Sequence, residues 1–284
     1  LNCVANGKIL DQSGFEKIWI QPAAGDAGSA VGCALNYIYK HTKKVRKIDK
    51  KDSMKSSYLG PEFSNDMIQN YLDKLKIKYH KFENSLLTNK VSEYLMQGNV
   101  VGWFQGKMEY GPRALCNRSI IGDPRIKDMQ QKMNLKIKFR ESFRPFAPVI
   151  LDEDKEEFFG IKDESPYMLI TRKLNSKYLK DSKSQSKYSG IERVNEIRST
   201  LPAITHIDNS CRIQTLSKDR NPLFYELLSK FKGLTGCPVL INTSFNVRGE
   251  PIVCTPGDAL RCFHFTNMDL LVIGNFLIIK DELE

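Results

Sequence analysis

Hydrophobic and polar positions along this 284-residue chain change period several times, and each change predicts an element. Residues 18–21 form a short apolar run before the small residues "PAAGDAG", and Ala27, Ala30, Ala34 and Ile38 then recur at helical spacing. A strand, a tight turn and a helix are expected there. The cationic run "KHTKKVRKIDKKDSMK" follows and should be exposed. In "SNDMIQNYLDKLKIKYHKF", Ser64 or Asn65 caps a helix whose expected apolar face carries Met67, Tyr71 and Leu75. "VSEYLMQGNVVGWFQG" reads as helix, turn and a buried strand over residues 100–104. Asp123-Pro124 supplies an N-cap and a proline at the first helical position, with Ile126, Met129 and Met133 on one face. Past Lys136 the period breaks, and Lys136, Lys138 and Arg140 alternate with Ile137 and Phe139. An extended chain projects these cations from one side at about 7 Å intervals. A continued helix spreads them around its axis.

Residues 172–198 are rich in Lys and Ser and read as a surface loop with little core. "CPVLINTSFNVRGEPIVCTPGDAL" is strand, polar loop and helix, with Thr255, Pro256 and Asp258 as a capped helix start. "DLLVIGNFLII" is a hairpin about Gly274-Asn275. There is no internal repeat. The interleaving of strands and helices favours an α/β fold, with α+β as the alternative. With 41% hydrophobic residues the chain can bury one large core or two, and its domain change is expected between about residues 60 and 86. No apolar run reaches the roughly 18 residues of a membrane span. The start carries no secretory pattern, and beginning at Leu1 it reads as a piece cut from a longer protein.

The net charge of +10 is concentrated. From Arg113 to Arg144 nine cations face only Asp123, Asp128 and Glu141. A solvated basic face, a nucleic-acid surface and a pocket for small polyanions each account for such a run. Four stretches hold the candidate chemistry. "QPAAGDAGSA" sets Asp26 among small residues where a ligand can approach; the carboxylate either holds a metal or hydroxyl there or caps the helix. "GWFQGKMEYGPRALCNRS" combines Gly102, Gly106 and Gly111 with Arg113 and Arg118, so backbone N–H groups and guanidinium forks can converge on an anion, although the P-loop order is absent. "MNLKIKFRESFRPFAPVI" adds Lys136, Lys138, Arg140 and Arg144 among aromatic residues and prolines. "NTSFNVRGEP" offers Asn242, Thr243, Ser244, Asn246 and Arg248 after a buried strand. The theme is arginine with glycine and amides, which suits phosphates. The histidines (His41, His80, His206, His264) sit in no Ser/His/Asp or Cys/His pattern; His206 alone has polar neighbours, Asp208 and Arg212. Seven cysteines without a C-x-x-C pair fit reduced, buried thiols in a cytosolic protein. The sequons at Asn117 and Asn242 read as coincidence.

These stretches, together with "PAITHIDNSCRIQT", resemble successive motifs of the O-carbamoyltransferases, the family of nodulation protein U and antibiotic carbamoylating enzymes. The likeness runs from Leu1 to about Lys280. It implies an upstream ASKHA-type domain for acceptor transfer, ending here over residues 1–60. A connector over 61–85 and a YrdC-like α/β domain over 86–284 that activates the carbamoyl group would follow.

The resemblance further implies that carbamoyl phosphate and ATP form carbamoyl-adenylate, releasing pyrophosphate and phosphate, before transfer to a hydroxyl of a small acceptor. Arg113, Arg118, Lys138, Arg140 and Arg144 then become the catalytic cations. Gly111, Lys136, Asn242, Ser244, Asn246 and Arg248 hold substrate or nucleotide. Asp26 matches the aspartate of a divalent metal site, of iron or magnesium type, whose H-x-x-x-H partner is absent from this sequence. The expected partners are small-molecule substrates, the upstream half of the protein and a second copy in a homodimer, in the cytoplasm and without a membrane. Two competing readings remain: a tRNA-binding YrdC-like module, and a fragment without turnover.

Overall fold

The computed structural model describes residues 1–47, 52–180, 193 and 196–283. Its strands are β1 (His80–Lys81), β2 (Val101–Phe104), β3 (Arg118–Gly122), β4 (Ala147–Leu151), β5 (Thr171–Lys173), β6 (Ser210–Arg212), β7 (Gln214–Leu216), β8 (Val239–Ser244), β9 (Leu270–Ile273) and β10 (Phe276–Ile279). Eight of them form one mixed sheet in the order β1-β10-β9-β2-β3-β8-β4-β7, while β5 and β6 pair separately. The β2–β9 and β4–β7 pairs are parallel and the other pairs antiparallel. Every residue of β2, β3, β4, β7 and β9 is buried, so the sheet is covered on both faces.

The cover follows the alternation along β2. Trp103 meets Phe224 edge-on at 5.7 Å, which places helix α7 (Pro222–Thr235) on that face. Helix α4 (Asn84–Met96) packs beside α7. Gly102 points the other way and lets Phe245 lie against the strand: a Cβ there would stand 2.8 Å from the ring. Helix α8 (Pro256–His264) packs on β2 and β9, started by a capping box in which Thr255 and Asp258 satisfy each other's backbone N–H groups. Gly274, at φ +55°, makes the β9–β10 turn in the expected hairpin.

Three expectations fail. Helix α3 (Asn65–Lys74) is capped by Ser64 as expected, but buries Ile68 and Leu72, leaving Met67 and Leu75 about half exposed. Two adjacent i,i+4 stripes satisfy the same periodicity, and the branched aliphatic one takes the core. Asp123-Pro124 starts no helix. The Asp123 carboxylate accepts the Arg125 backbone N–H (2.9 Å) and its guanidinium (2.6 Å), making a turn, and α5 begins later, as Met129–Lys136. Residues 18–21 form no strand, because a strand needs a neighbour for its backbone groups. Ile18, Trp19 and Ile20 line a cavity of about 830 Å³ with residues 160–167, Leu169 and Ile170 instead. The cationic run buries none of its described residues, as expected; Asp52, half-buried, accepts from Arg220 at 2.7 Å. Residues 48–51 of that run, and 181–192, 194 and 195 of the polar stretch, lie outside the described residues.

The N-terminal helices are α1 (Cys3–Gln12), which packs on β5, and α2 (Asp26–His41), which buries none of its residues. A small second core of Leu115, Ala147, Tyr167, Met168 and Leu169 takes in Leu1, Ile20 and Met54. No described helix is long and apolar enough to cross a membrane.

Candidate anion site

Strand directions bring the candidate stretches to one end of the sheet. Ser119, near the start of β3, pairs with Ser244 at the end of β8. Ala147, the first residue of β4, pairs with Asn242, and Val149 pairs with Gln214 at the start of β7. The segments before β3, before β4, after β8 and before β7 therefore share one rim, although 131 positions separate Arg113 from Ser244.

Between α5 and β4 the chain is neither extended nor helical. The helix ends at Lys136 and Phe139 adopts φ +48°, so the three alternating cations go three ways. Lys136 is exposed. Lys138 turns inward, 4% exposed, and its ammonium lies within hydrogen-bond distance of the Ser244 carbonyl (2.7 Å) and hydroxyl (3.2 Å) and of the Asn246 carbonyl (2.9 Å) and Oδ1 (2.6 Å). Burial brings its pKa down to about 7, with Arg140 adding to the shift. Arg140 is half-buried. Its Nε donates to Asn134 Oδ1 at 2.6 Å and its guanidinium lies 4.9 Å over the Phe146 ring. Burial, then Arg144 and Arg212, lower it to about 10.

Arg212 lies at the end of β6, and burial and then Arg113 lower its pKa. Arg113, Arg140, Arg144 and Arg212 thus form one chain of mutually repelling charges. Among the described residues Glu141 is the carboxylate paired into this group, 2.9 Å from Arg144 and 3.8 Å from Arg248. Arg113 Nε and Asn242 Oδ1 are buried without hydrogen-bond partners. Asn242 otherwise donates to Gln214 Oε1 (2.7 Å) and the Ala114 carbonyl (3.2 Å), tying β8 to the Arg113 loop. Polar atoms left unsatisfied beside clustered like charges are what an anion with acceptor and donor groups would complete.

Several expected residues stand apart. Arg118 is fully buried and donates to the carbonyls of Gln105 (2.5 Å), Asn117 (3.0 Å), Gly106 (3.1 Å) and Pro61 (3.2 Å), its guanidinium 3.6 Å over Phe104. With Arg118 and Lys138 inside, the cations of residues 113–144 make no continuous exposed stripe of the kind a nucleic-acid backbone needs. Gly111, at φ +131°, passes close to Ala23. Asp26 is exposed in the first turn of α2, and among the described residues no group of three or more His, Cys, Asp or Glu side chains could hold a metal. The described residues therefore do not fit the implied metal site. Both sequon asparagines are buried, and four of the seven cysteines are buried. The sequence marked Arg212 only as a polar neighbour of His206 and Glu141 only as one of three acids in the basic run, and gave no signal for Gln214.

A family model described as "Carbamoyltransferase C-terminus" matches residues 92–280. The chain belongs to the carbamoyltransferase family. The family's "Carbamoyltransferase N-terminus" model matches residues 1–35. An uncharacterised Synechocystis sp. protein is 54% identical over 283 residues, 99% of this chain and 46% of that protein. Nodulation protein NolO of Bradyrhizobium diazoefficiens is 36% identical, over 98% of this chain and 47% of its own length. The 3'-hydroxymethylcephem-O-carbamoyltransferase of Amycolatopsis lactamdurans is 32% identical, over 97% and 46%. The chain thus spans about half the length of these relatives. A crystal structure of full-length HypF in the phosphate- and nucleotide-bound form shows a distant likeness, with TM-score 0.43 and 15% identity over 72% of this chain and 22% of that one.

Proposed function

We propose that this chain carries the carbamoyl-activating part of an O-carbamoyltransferase, acting on carbamoyl phosphate and ATP. The observation behind this reading is the convergence of Arg113, Arg140, Arg144, Arg212 and Lys138 at one end of the sheet, with Glu141 paired to Arg144. Two polyanions that react must approach against their own repulsion. Cations held by the fold offset it and stabilise the charge that moves to the leaving groups. Arg140 is suited to this because Asn134 and Phe146 fix its orientation before a ligand arrives.

In balanced form, water takes the phosphoryl group of carbamoyl phosphate, breaking the P–O bond and leaving carbamate. A carbamate oxygen then attacks the α-phosphorus of ATP, and pyrophosphate departs. The carbamoyl group finally passes from AMP to an acceptor hydroxyl. The arginines bind the phosphates. In this reading Lys138 holds the Ser244–Asn246 turn and contributes its charge, and the unpartnered Asn242 Oδ1 accepts from the carbamoyl NH₂. Arg118 shapes the loop in this reading, and the exposed Lys136 and Arg248 add charge at its edge.

The same reading makes residues 1–60 the end of an ASKHA-type transfer unit and 86–284 a YrdC-like unit. The connector 61–85 adds α3 to the second unit's core through Ile68 and Leu72, and β1 to its sheet edge beside β10. Acceptor choice and any metal belong to the upstream half of the whole protein. The test is pyrophosphate release from ATP by the purified chain. Release should require carbamoyl phosphate, and Arg140→Ala should slow it about ten- to 150-fold, the value of one charge-assisted hydrogen bond. Release that ignores carbamoyl phosphate, or an unaffected Arg140→Ala, contradicts the proposal.

A further inference from the structure

We infer that Glu109 is a positioning residue for the anion site: it folds the loop that presents Arg113. The inference rests on the anion-site reading above but concerns a residue outside that site. Glu109 is 4% exposed, an acid inside the 13-residue connection from β2 to β3. Its Oε1 accepts the backbone N–H of Leu115 (2.6 Å), Asn117 (2.7 Å) and Arg118 (3.3 Å). The remaining N–H of that run, on Cys116, goes to Ser119 Oγ at 3.1 Å. Four consecutive backbone donors thus end on two side chains.

The loop needs this hold because its path is strained. Gly106 and Gly111 take positive φ at little cost, but Cys116 does so at φ +86° with a side chain, which persists only where surroundings over-determine it. Arg118 completes the device from the other side. Its guanidinium takes the carbonyls of Gln105, Gly106 and Asn117, while the Glu109 carboxylate takes the N–H groups. Glu109 also favours the protonated guanidinium of Arg118 in the interior. Tyr110 pins the near end of the loop, its N–H on the Ser57 carbonyl at 2.6 Å and its hydroxyl on the Ala27 carbonyl at 2.5 Å. Arg113 sits on the short span between Tyr110 and Leu115, so where its guanidinium stands relative to Arg212 is set by both anchors.

The test is calorimetric binding of inorganic pyrophosphate to the full chain. It compares wild type, Arg113→Ala, Glu109→Ala, Glu109→Asp, Glu109→Gln and the double variant Glu109→Ala/Arg113→Ala, with each variant's Tm measured. Glu109→Ala is expected to weaken binding about as much as Arg113→Ala, roughly ten-fold or more. The double variant should bind within about three-fold of either single variant, since both remove one arrangement. Glu109→Gln, whose amide oxygen accepts the same three N–H groups, should stay within about three-fold of wild type. Glu109→Asp cannot reach all three and should follow Glu109→Ala, which keeps the inference testable if the alanine variant does not fold. A Glu109→Ala or Glu109→Asp protein that loses Tm yet binds pyrophosphate like wild type overturns the inference, as does a double variant whose loss is the product of the single losses. If wild type does not bind pyrophosphate, or Arg113→Ala binds equally well, the anion-site reading itself fails. If Arg113→Ala weakens binding and the Glu109 variants do not, only the role of Glu109 fails.

Discussion

Lys138 has the most testable chemistry in the chain. Its folded-state pKa of about 7 lies below its ordinary 10.5, so between these values the unfolded chain holds more protons than the folded one. Stability from this group therefore rises with pH from about 7 towards 10.5, and the cost of burying the charge is fully felt below 7. Unfolding free energies of wild type and Lys138→Met, measured from pH 6 to 9.5, should show wild type gaining on the variant as pH rises. A constant difference would contradict the assignment. Glu141 is the converse case, a half-buried carboxylate between Arg144 and Arg248 that competes, in the proposed reading, with an incoming polyanion. Glu141→Gln should tighten pyrophosphate binding about two- to five-fold at low salt and less at high salt, by calorimetry. Composition pointed to the crowded cations, but not to their fates. A turn at Phe139 sends Lys138 inward and Lys136 outward, and that turn is set by contacts with the β8 loop far along the sequence.

At the scale of elements, local chemistry was legible wherever one residue's side chain satisfied a nearby backbone group. Ser64, Thr255 with Asp258, and Gly274 mark their helix starts and hairpin turn as read. Asp123 was misread because Arg125, two residues on, outcompetes the helix for its carboxylate. The face of α3 was misread because the sequence carries two adjacent apolar stripes, and only the tertiary fold chooses between them. The corrected face has a direct consequence. Leu72→Ala should cost about 2–5 kcal/mol in denaturant unfolding. Met67→Ala should stay within about 0.5 kcal/mol. Equal losses at the two positions would return Met67 to the core.

At the scale of the molecule, topology makes the site. The stretches around residues 113, 140, 212 and 244 are far apart in sequence, and the antiparallel β3–β8–β4 order with β7 beside β4 brings them to one rim. Strand order cannot be read from hydrophobic period, so the sequence supplied candidate residues and a family likeness, while the place of Arg212 beside Arg140 and the role of Glu109 emerged only from the folded arrangement. The N-terminal segment differs: α2 buries nothing, and its sequence alone suggested a strand-turn-helix unit that lacks its strand here. The central claim is that folded-in cations unite carbamoyl phosphate with ATP. Its most direct test is exchange of radiolabelled pyrophosphate into ATP by the purified chain, with and without carbamoyl phosphate. Exchange should need carbamoyl phosphate and fall about ten- to 150-fold in both Arg140→Ala and Arg212→Ala. Exchange without carbamoyl phosphate, or undiminished in these folded variants, would contradict it.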